Sequence, residues 1–296
     1  MFEHGAIRRL GSVDAGNTTT DSGEIERERG ITIRSAVAAF DLGQLHVNLV
    51  DTPGHPDFIA EVERALSVLD GVVLVVSAVE GVQAQTKVLM RSLQRMKMPT
   101  LIFVNKIDRM GVRTDELLAE LRQRLTPQIL PINTVRDAGG PAAAIEYDAT
   151  LARAFRRPEI EAIADNDEAL MLRSLEDKEL HYEDLEAALA LPTRRGQLHP
   201  VYFGSALVGI GIEHLTRGIK TFLPATPLTD HDDRPPAGAV FAIERSYVGD
   251  KIAYVRLFEG MLKERQPIAY AQREADGQIK ESASRLSRTH EWQILG

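Results

Sequence analysis

Two rhythms of apolar residues alternate along the first two thirds of this chain. Arg34 to Phe40 and Leu45 to Val50 read as strands joined by the turn signal Asp41-Leu42-Gly43-Gln44. Phe58, Val62, Ala65 and Leu69 then recur at helical spacing, which predicts a helix over about 56–69. The run Val72-Val73-Leu74-Val75-Val76 is wholly apolar and β-branched, as in a strand buried on both faces of a parallel sheet. A helix over about 85–96 follows, and after Pro99 comes a second such run, Leu101-Ile102-Phe103-Val104. Strand alternating with helix predicts β-α-β units and a mostly parallel sheet with helices on both faces.

From about Thr126 to Leu198 the pattern becomes acidic and alanine-rich, with loop punctuation at Asp137-Ala138-Gly139-Gly140-Pro141, and predicts a helical insertion. Val201-Tyr202-Phe203 resumes the strands, and Gly211 to Phe222 supplies another helix. Residues 1–225 thus read as one α/β domain, and a linker over 226–238 contains Pro227, Pro235 and Pro236. From Ala239 the period is two, through Val240, Ala242, Ile252, Tyr254 and Arg256, with turns at Gly249-Asp250 and Glu259-Gly260. Residues 239–296 are therefore expected to begin an all-β barrel domain.

Composition narrows the class. The chain has 296 residues, 44% of them hydrophobic and 26% charged, enough apolar content for a sizeable core. The net charge of −8 opposes general affinity for nucleic acid, and no sequence-specific DNA binding is expected. With no cysteine, disulfides, thiolate metal sites and cysteine nucleophiles are excluded. The longest apolar run, Gly71 to Val79, is too short to cross a bilayer, and the first residues lack the pattern of a secretory signal. A cytoplasmic protein without membrane association is the expectation. Among the eight histidines, those other than His55 show no metal-ligand spacing. The acidic set Asp165, Asp167, Glu168, Glu176, Asp177 and Glu179 lacks a calcium-loop pattern and reads as solvated helix faces.

Ligands of such a sheet bind beyond the carboxyl ends of its strands. After Leu49-Val50 come Asp51-Thr52-Pro53-Gly54-His55: the carboxylate suits a magnesium ion held through water, and the glycine brings its amide close to a phosphate. After Phe103-Val104 come Asn105-Lys106-Ile107-Asp108, where Asn105 and Asp108 match the donor and acceptor edge of guanine and the Lys106 stem covers the ring. After Tyr202-Phe203 come Gly204-Ser205-Ala206-Leu207, whose amides suit the carbonyl oxygen of the base. Taken singly, each is an ordinary turn or loop. In this order at successive strand ends, they mark a guanine-nucleotide site. A fourth segment, Arg29-Gly30-Ile31-Thr32-Ile33, offers the Thr32 hydroxyl as a magnesium ligand within a switch ordered by the triphosphate.

With these residues in place, the chain resembles the translational GTPases of the elongation factor G type, and in particular the tetracycline-resistance ribosomal protection proteins. The likeness extends to Gly11-Ser12-Val13-Asp14-Ala15-Gly16, Leu66-Ser67-Val68-Leu69-Asp70-Gly71 and Gly81-Val82-Gln83-Ala84-Gln85-Thr86. The resemblance implies a GTP-binding domain followed by part of a barrel, with GTP or GDP and Mg2+ as ligands and the ribosome as partner. It also implies a GTP hydrolase in which His55 positions the attacking water, Thr32 and Asp51 serve magnesium, and Gly54, Asn105, Lys106, Asp108, Ser205 and Ala206 hold the nucleotide.

A phosphate-binding loop, Gly-x4-Gly-Lys-Ser/Thr, belongs between the first strand and first helix of such a domain. The nearest match, Gly11 to Thr18, carries Asn17 in place of the lysine, and no buried strand precedes it. Residues 7–21 instead resemble the family's segment between its first helix and its switch threonine. The chain therefore reads as beginning after the phosphate loop and ending within or just after the second domain. Three lost charge-assisted hydrogen bonds remove about 5–9 kcal/mol, or about three to six decades of affinity. Two further readings stand beside the protection GTPase: a truncated, catalytically inactive remnant with at most weak guanine-nucleotide binding, and a translocation factor of the elongation factor G type.

Overall fold

A computed structural model of the chain describes residues 36–55, 58–146, 182–225, 234–245, 251–273 and 277–286. Thr32, the Gly11 to Thr18 segment, most of the linker and the Gly249-Asp250 turn lie outside the described residues. The first two strands, β1 (Ala36–Leu42) and β2 (Leu45–Asp51), form an antiparallel hairpin. Gly43 takes the left-handed conformation at its turn, with φ 71°, which glycine adopts without steric penalty.

Helix α1 (Ile59–Leu66) follows the loop after β2 and buries Val62, Ala65 and Leu66. It stops short of the predicted residue 69, because Ser67 Oγ donates to the Arg64 carbonyl at 2.6 Å and Val68 N turns back to the Ala65 carbonyl. Strand β3 (Val72–Ser77), helix α2 (Ala84–Met96) and strand β4 (Thr100–Asn105) complete a β-α-β unit. Helix α3 (Thr114–Arg124) comes next and buries Leu117 and Leu121.

The segment expected to be a helical insertion differs at its start. Strand β5 (Ile129–Pro131) enters the parallel sheet, and β6 (Thr134–Arg136) and β7 (Ala144–Glu146) make a short antiparallel pair around the Asp137 to Pro141 turn. Ile129, Leu130 and Ile132 are almost wholly buried, so this short apolar run serves the sheet and not a helix face. Helix α4 (Tyr182–Arg194) closes the segment. Strand β8 (His199–Phe203) and helix α5 (Ile212–Phe222) follow.

The four-stranded sheet runs β3-β4-β8-β5, parallel throughout. Both faces are covered, as its apolar strands require. On one face Val76, Ile102, Val104, Val201 and Phe203 pack with Leu117 and Leu121 of α3. On the other, Leu101, Phe103 and Tyr202 pack with Leu189 of α4 and Phe222 of α5. A third cluster, Val62, Leu66, Leu93 and Met98, joins α1 to α2. Among the described residues, β2 pairs only with β1 and β3 only with β4, and Val75 on β3 is 57% exposed.

The period-two region forms two separate antiparallel ladders, β9 (Ala237–Arg245) with β10 (Lys251–Glu259) and β11 (Pro267–Arg273) with β12 (Ile279–Arg285). Among the described residues they do not close into a barrel. Arg256 of β10 reaches the end of the α1 segment, donating to Asp70 Oδ1 at 2.7 Å and to the Val68 carbonyl. Its guanidinium also lies 5.2 Å from the centre of the Phe258 ring.

Candidate functional site: the loops at the strand ends

β4 is buried from Thr100 to Val104 and emerges at Asn105. Asn105 Oδ1 accepts from the backbone N–H of Lys106 at 2.8 Å and of Ala206 at 2.9 Å. One side-chain oxygen therefore joins the loop after β4 to the loop after β8. Lys106 stands in the left-handed region, with φ 69°, a conformation disfavoured for side-chain-bearing residues. It directs Nζ to Glu80 Oε1 at 3.1 Å, while Gln83 Nε2 donates to Glu80 Oε2 at 2.6 Å. Asp108 is mostly sheltered, at 16% side-chain exposure, with Arg109 Nε 3.9 Å from its Oδ2.

The β8 loop is held on several sides. Gly204 N donates to the Val104 carbonyl at 2.9 Å, Ile107 N donates to the Gly204 carbonyl at 3.3 Å, and Ser205 N donates to the Ile210 carbonyl at 2.9 Å. Gly204 has no room for a side chain: a Cβ there would stand 2.4 Å from the Ile210 carbonyl oxygen and 2.8 Å from the Phe103 ring. Ser205 is buried at 1% exposure. The amides of Ser205 and Ala206, expected from sequence to meet a base carbonyl, thus have partners within the chain.

The third loop leaves β2 at Asp51, which is half-buried. Pro53 is buried, whereas Gly54 and His55 are exposed. A Cβ on Gly54 would meet nothing within 4 Å, so its backbone faces open space. The His55 ring lies 6.0 Å from that of Phe58, and Phe58 N donates to the His55 carbonyl at 3.0 Å. Asn105, Lys106, Asp108, Ser205 and Ala206 are therefore gathered at the adjoining ends of β4 and β8. Asp51, Gly54 and His55 share the β2 loop, and Thr32 lies outside the described residues.

Two participants escape a reading of the sequence. Glu80 follows β3 in an ordinary-looking turn, and only folding shows that it pairs with Lys106. Asn133 follows the Ile129 to Ile132 run and is wholly buried, with its carboxamide on the backbone of Phe203. A polar residue ending a short apolar run was the available signal. Among the described residues no group of three or more His, Cys, Asp or Glu side chains could hold a metal, and no helix is long and apolar enough to cross a membrane.

A doubly covered parallel sheet with its chemistry-bearing loops at the carboxyl ends of the strands is the architecture of an α/β nucleotide-binding domain. The family model described as the Elongation factor Tu GTP binding domain matches residues 1–225, and the chain belongs to that family. Within it the chain is similar to tetracycline resistance proteins. It is 49% identical to Tetracycline resistance protein TetM of Streptomyces lividans over 97% of this chain and 45% of that protein. It is 50% identical to the Oxytetracycline resistance protein of Streptomyces rimosus over 97% of this chain and 43% of that one. A crystal structure of a protein from Thermus thermophilus superposes with a TM-score of 0.76 at 30% identity, covering 96% of this chain and 45% of the other. The chain spans somewhat under half the length of these relatives.

Proposed function

We propose that this chain carries the guanine-nucleotide part of a GTP hydrolase of the ribosomal protection kind, which acts on the cytoplasmic ribosome to release tetracycline. The observation supporting it is the Asn105–Ala206 hydrogen bond, which brings two candidate base-reading motifs, 101 residues apart, to one place. In this reading Asp108 accepts from the ring N–H and exocyclic amine of guanine, and Lys106 lies along the ring, steadied by Glu80. Ala206 N–H, beside Ser205, turns from Asn105 to the base carbonyl, so that Asn105 and the base compete for one donor.

Hydrolysis is an in-line attack of water on the terminal phosphorus. The bond to the bridging oxygen breaks, GDP departs with the electron pair, and the water proton passes to the released phosphate. Gly54 N–H contacts the terminal phosphate, and the exposed His55 ring orients the water once the ribosome orders the loop. Activators of related GTPases raise the rate by about five decades. Asp51 and Thr32 would hold Mg2+, whose role is to neutralise phosphate charge. A half-buried carboxylate at a strand end fits an ion that keeps waters and takes its other ligands from phosphates.

The remnant reading has its own support: both base-loop amides are already engaged within the chain. Titrating the chain with fluorescent GDP and GTP plus magnesium, with ATP as competitor, separates the two. Micromolar saturation with rejection of ATP supports the hydrolase, and ribosome-stimulated turnover with displacement of bound tetracycline then distinguishes protection from translocation. Guanine-selective binding only at millimolar nucleotide supports the remnant. Absence of binding up to millimolar nucleotide also supports the remnant, whereas ATP bound as tightly as GTP would defeat both.

A further inference from the structure

β8 is buried at every residue from His199 to Phe203, so each of its peptide groups needs a partner. On the side away from β4 the ladder runs rung by rung. His199 N donates to the Gln128 carbonyl at 2.9 Å, and the Val201 carbonyl accepts from Ile132 N at 2.8 Å. β5 then ends, and the next rung is supplied by a side chain. Asn133 Oδ1 accepts from Phe203 N at 2.7 Å, and its Nδ2 donates to the Phe203 carbonyl at 3.1 Å. The rung beyond that is Ser205 N on the Ile210 carbonyl, already within the candidate base-reading loop. Asn133 has no solvent exposure and both ends of its carboxamide are used.

We propose that Asn133 is a positioning residue for base recognition: by completing the edge of β8 at Phe203, it fixes where the Ser205 and Ala206 amides stand relative to the six-position of the purine. The inference rests on the guanine-nucleotide reading above. It assigns to Asn133 a defined part of selectivity, because the β8 loop faces the six-position group, whereas the two-position amine belongs to Asp108.

Three diphosphates separate these contacts in the full chain. GDP and the 2,6-diaminopurine riboside diphosphate differ at the six-position and the adjoining ring nitrogen, and GDP and IDP differ only in the two-position amine. Asn133→Ala is expected to lower the preference for GDP over the diaminopurine nucleotide about tenfold, as for one well-placed hydrogen bond. The GDP-to-IDP ratio should stay within about twofold, since Asp108 is untouched. Asn133→Asp keeps the acceptor for Phe203 N–H but sets a second acceptor against the Phe203 carbonyl in a fully buried site, and should lower that preference at least as far. If both ratios fall together, or neither moves while the unaltered chain discriminates, the assignment to Asn133 is wrong and the nucleotide reading survives. If the unaltered chain does not discriminate among the three, both fail. Should the variants not fold, amide hydrogen exchange of the unaltered chain decides: Phe203 N–H should be among the slowest amides, and its rapid exchange would overturn the proposal.

Discussion

The Oδ1 atom of Asn105 accepts two backbone hydrogen bonds at once, from Lys106 and from Ala206. Its removal leaves both N–H groups without this acceptor and frees Lys106 from the contact that holds its left-handed backbone. Asn105→Ala is therefore expected to destabilise the fold by about 1–3 kcal/mol. The urea midpoint should fall with the slope unchanged. Asn105→Asp keeps an acceptor oxygen and should retain most of the stability. Equal midpoints for all three proteins would show that the bond contributes nothing.

Much of this architecture was legible because it rests on long apolar runs. Val72 to Val76 and Leu101 to Val104 announce buried parallel strands, and β3 and β4 each extend one or two residues past them. The residues after those runs are where the candidate chemistry lies, since strand ends open onto loops. What stayed hidden depends on contacts distant in sequence. β5 has three residues, too few to show a period, and its strand character comes from β8, about seventy positions onward. Glu80 and Asn133 look like ordinary turn residues until Lys106 and Phe203 are brought to them.

Arg256 joins the β9–β10 ladder to the segment after α1 through Asp70 and the Val68 carbonyl. Its side chain is 23% exposed and that of Asp70 is 44% exposed, so solvent screens the pair. A double-mutant cycle with Arg256→Ala and Asp70→Asn should give a coupling of about 0.3–1 kcal/mol, weakening with added salt. The single Arg256→Ala variant should also make the β9–β10 ladder more susceptible to limited proteolysis, because the guanidinium bond to Val68 is lost as well. Zero coupling together with an unchanged digestion pattern would refute the tie.

Gly218 on α5 lies against Tyr202 of β8. A Cβ at this position would stand 2.1 Å from the phenolic oxygen and 2.5 Å from the ring carbon bearing it. Tyr202 is 1% exposed and cannot swing away into solvent. Alanine gains up to about 1 kcal/mol in helix propensity, but overpacking of this kind costs about 1–3 kcal/mol. Gly218→Ala should lower the thermal midpoint. Adding Tyr202→Phe, which deletes the oxygen in the way, should recover part of the loss. A higher midpoint for Gly218→Ala alone would mean that the helix and sheet part easily here.

His199 sits at the start of β8, 2% exposed, with Nδ1 3.3 Å from the Thr100 carbonyl. Burial holds its pKa below the ordinary value, outweighing the opposing pull of the bond from Nδ1–H to Thr100. The folded chain thus keeps His199 neutral where the unfolded chain takes up a proton. The stability arising from this difference is fully present above the unfolded value of about 6.5. It declines as pH falls through 6.5 toward the depressed folded value, because the unfolded state then binds more protons. His199→Gln retains a donor for Thr100 but does not titrate. Its urea midpoint should therefore fall less than that of the unaltered chain when pH is lowered from 7.5 to about 5.5. Parallel midpoint-versus-pH curves for the two proteins would place the acid sensitivity elsewhere.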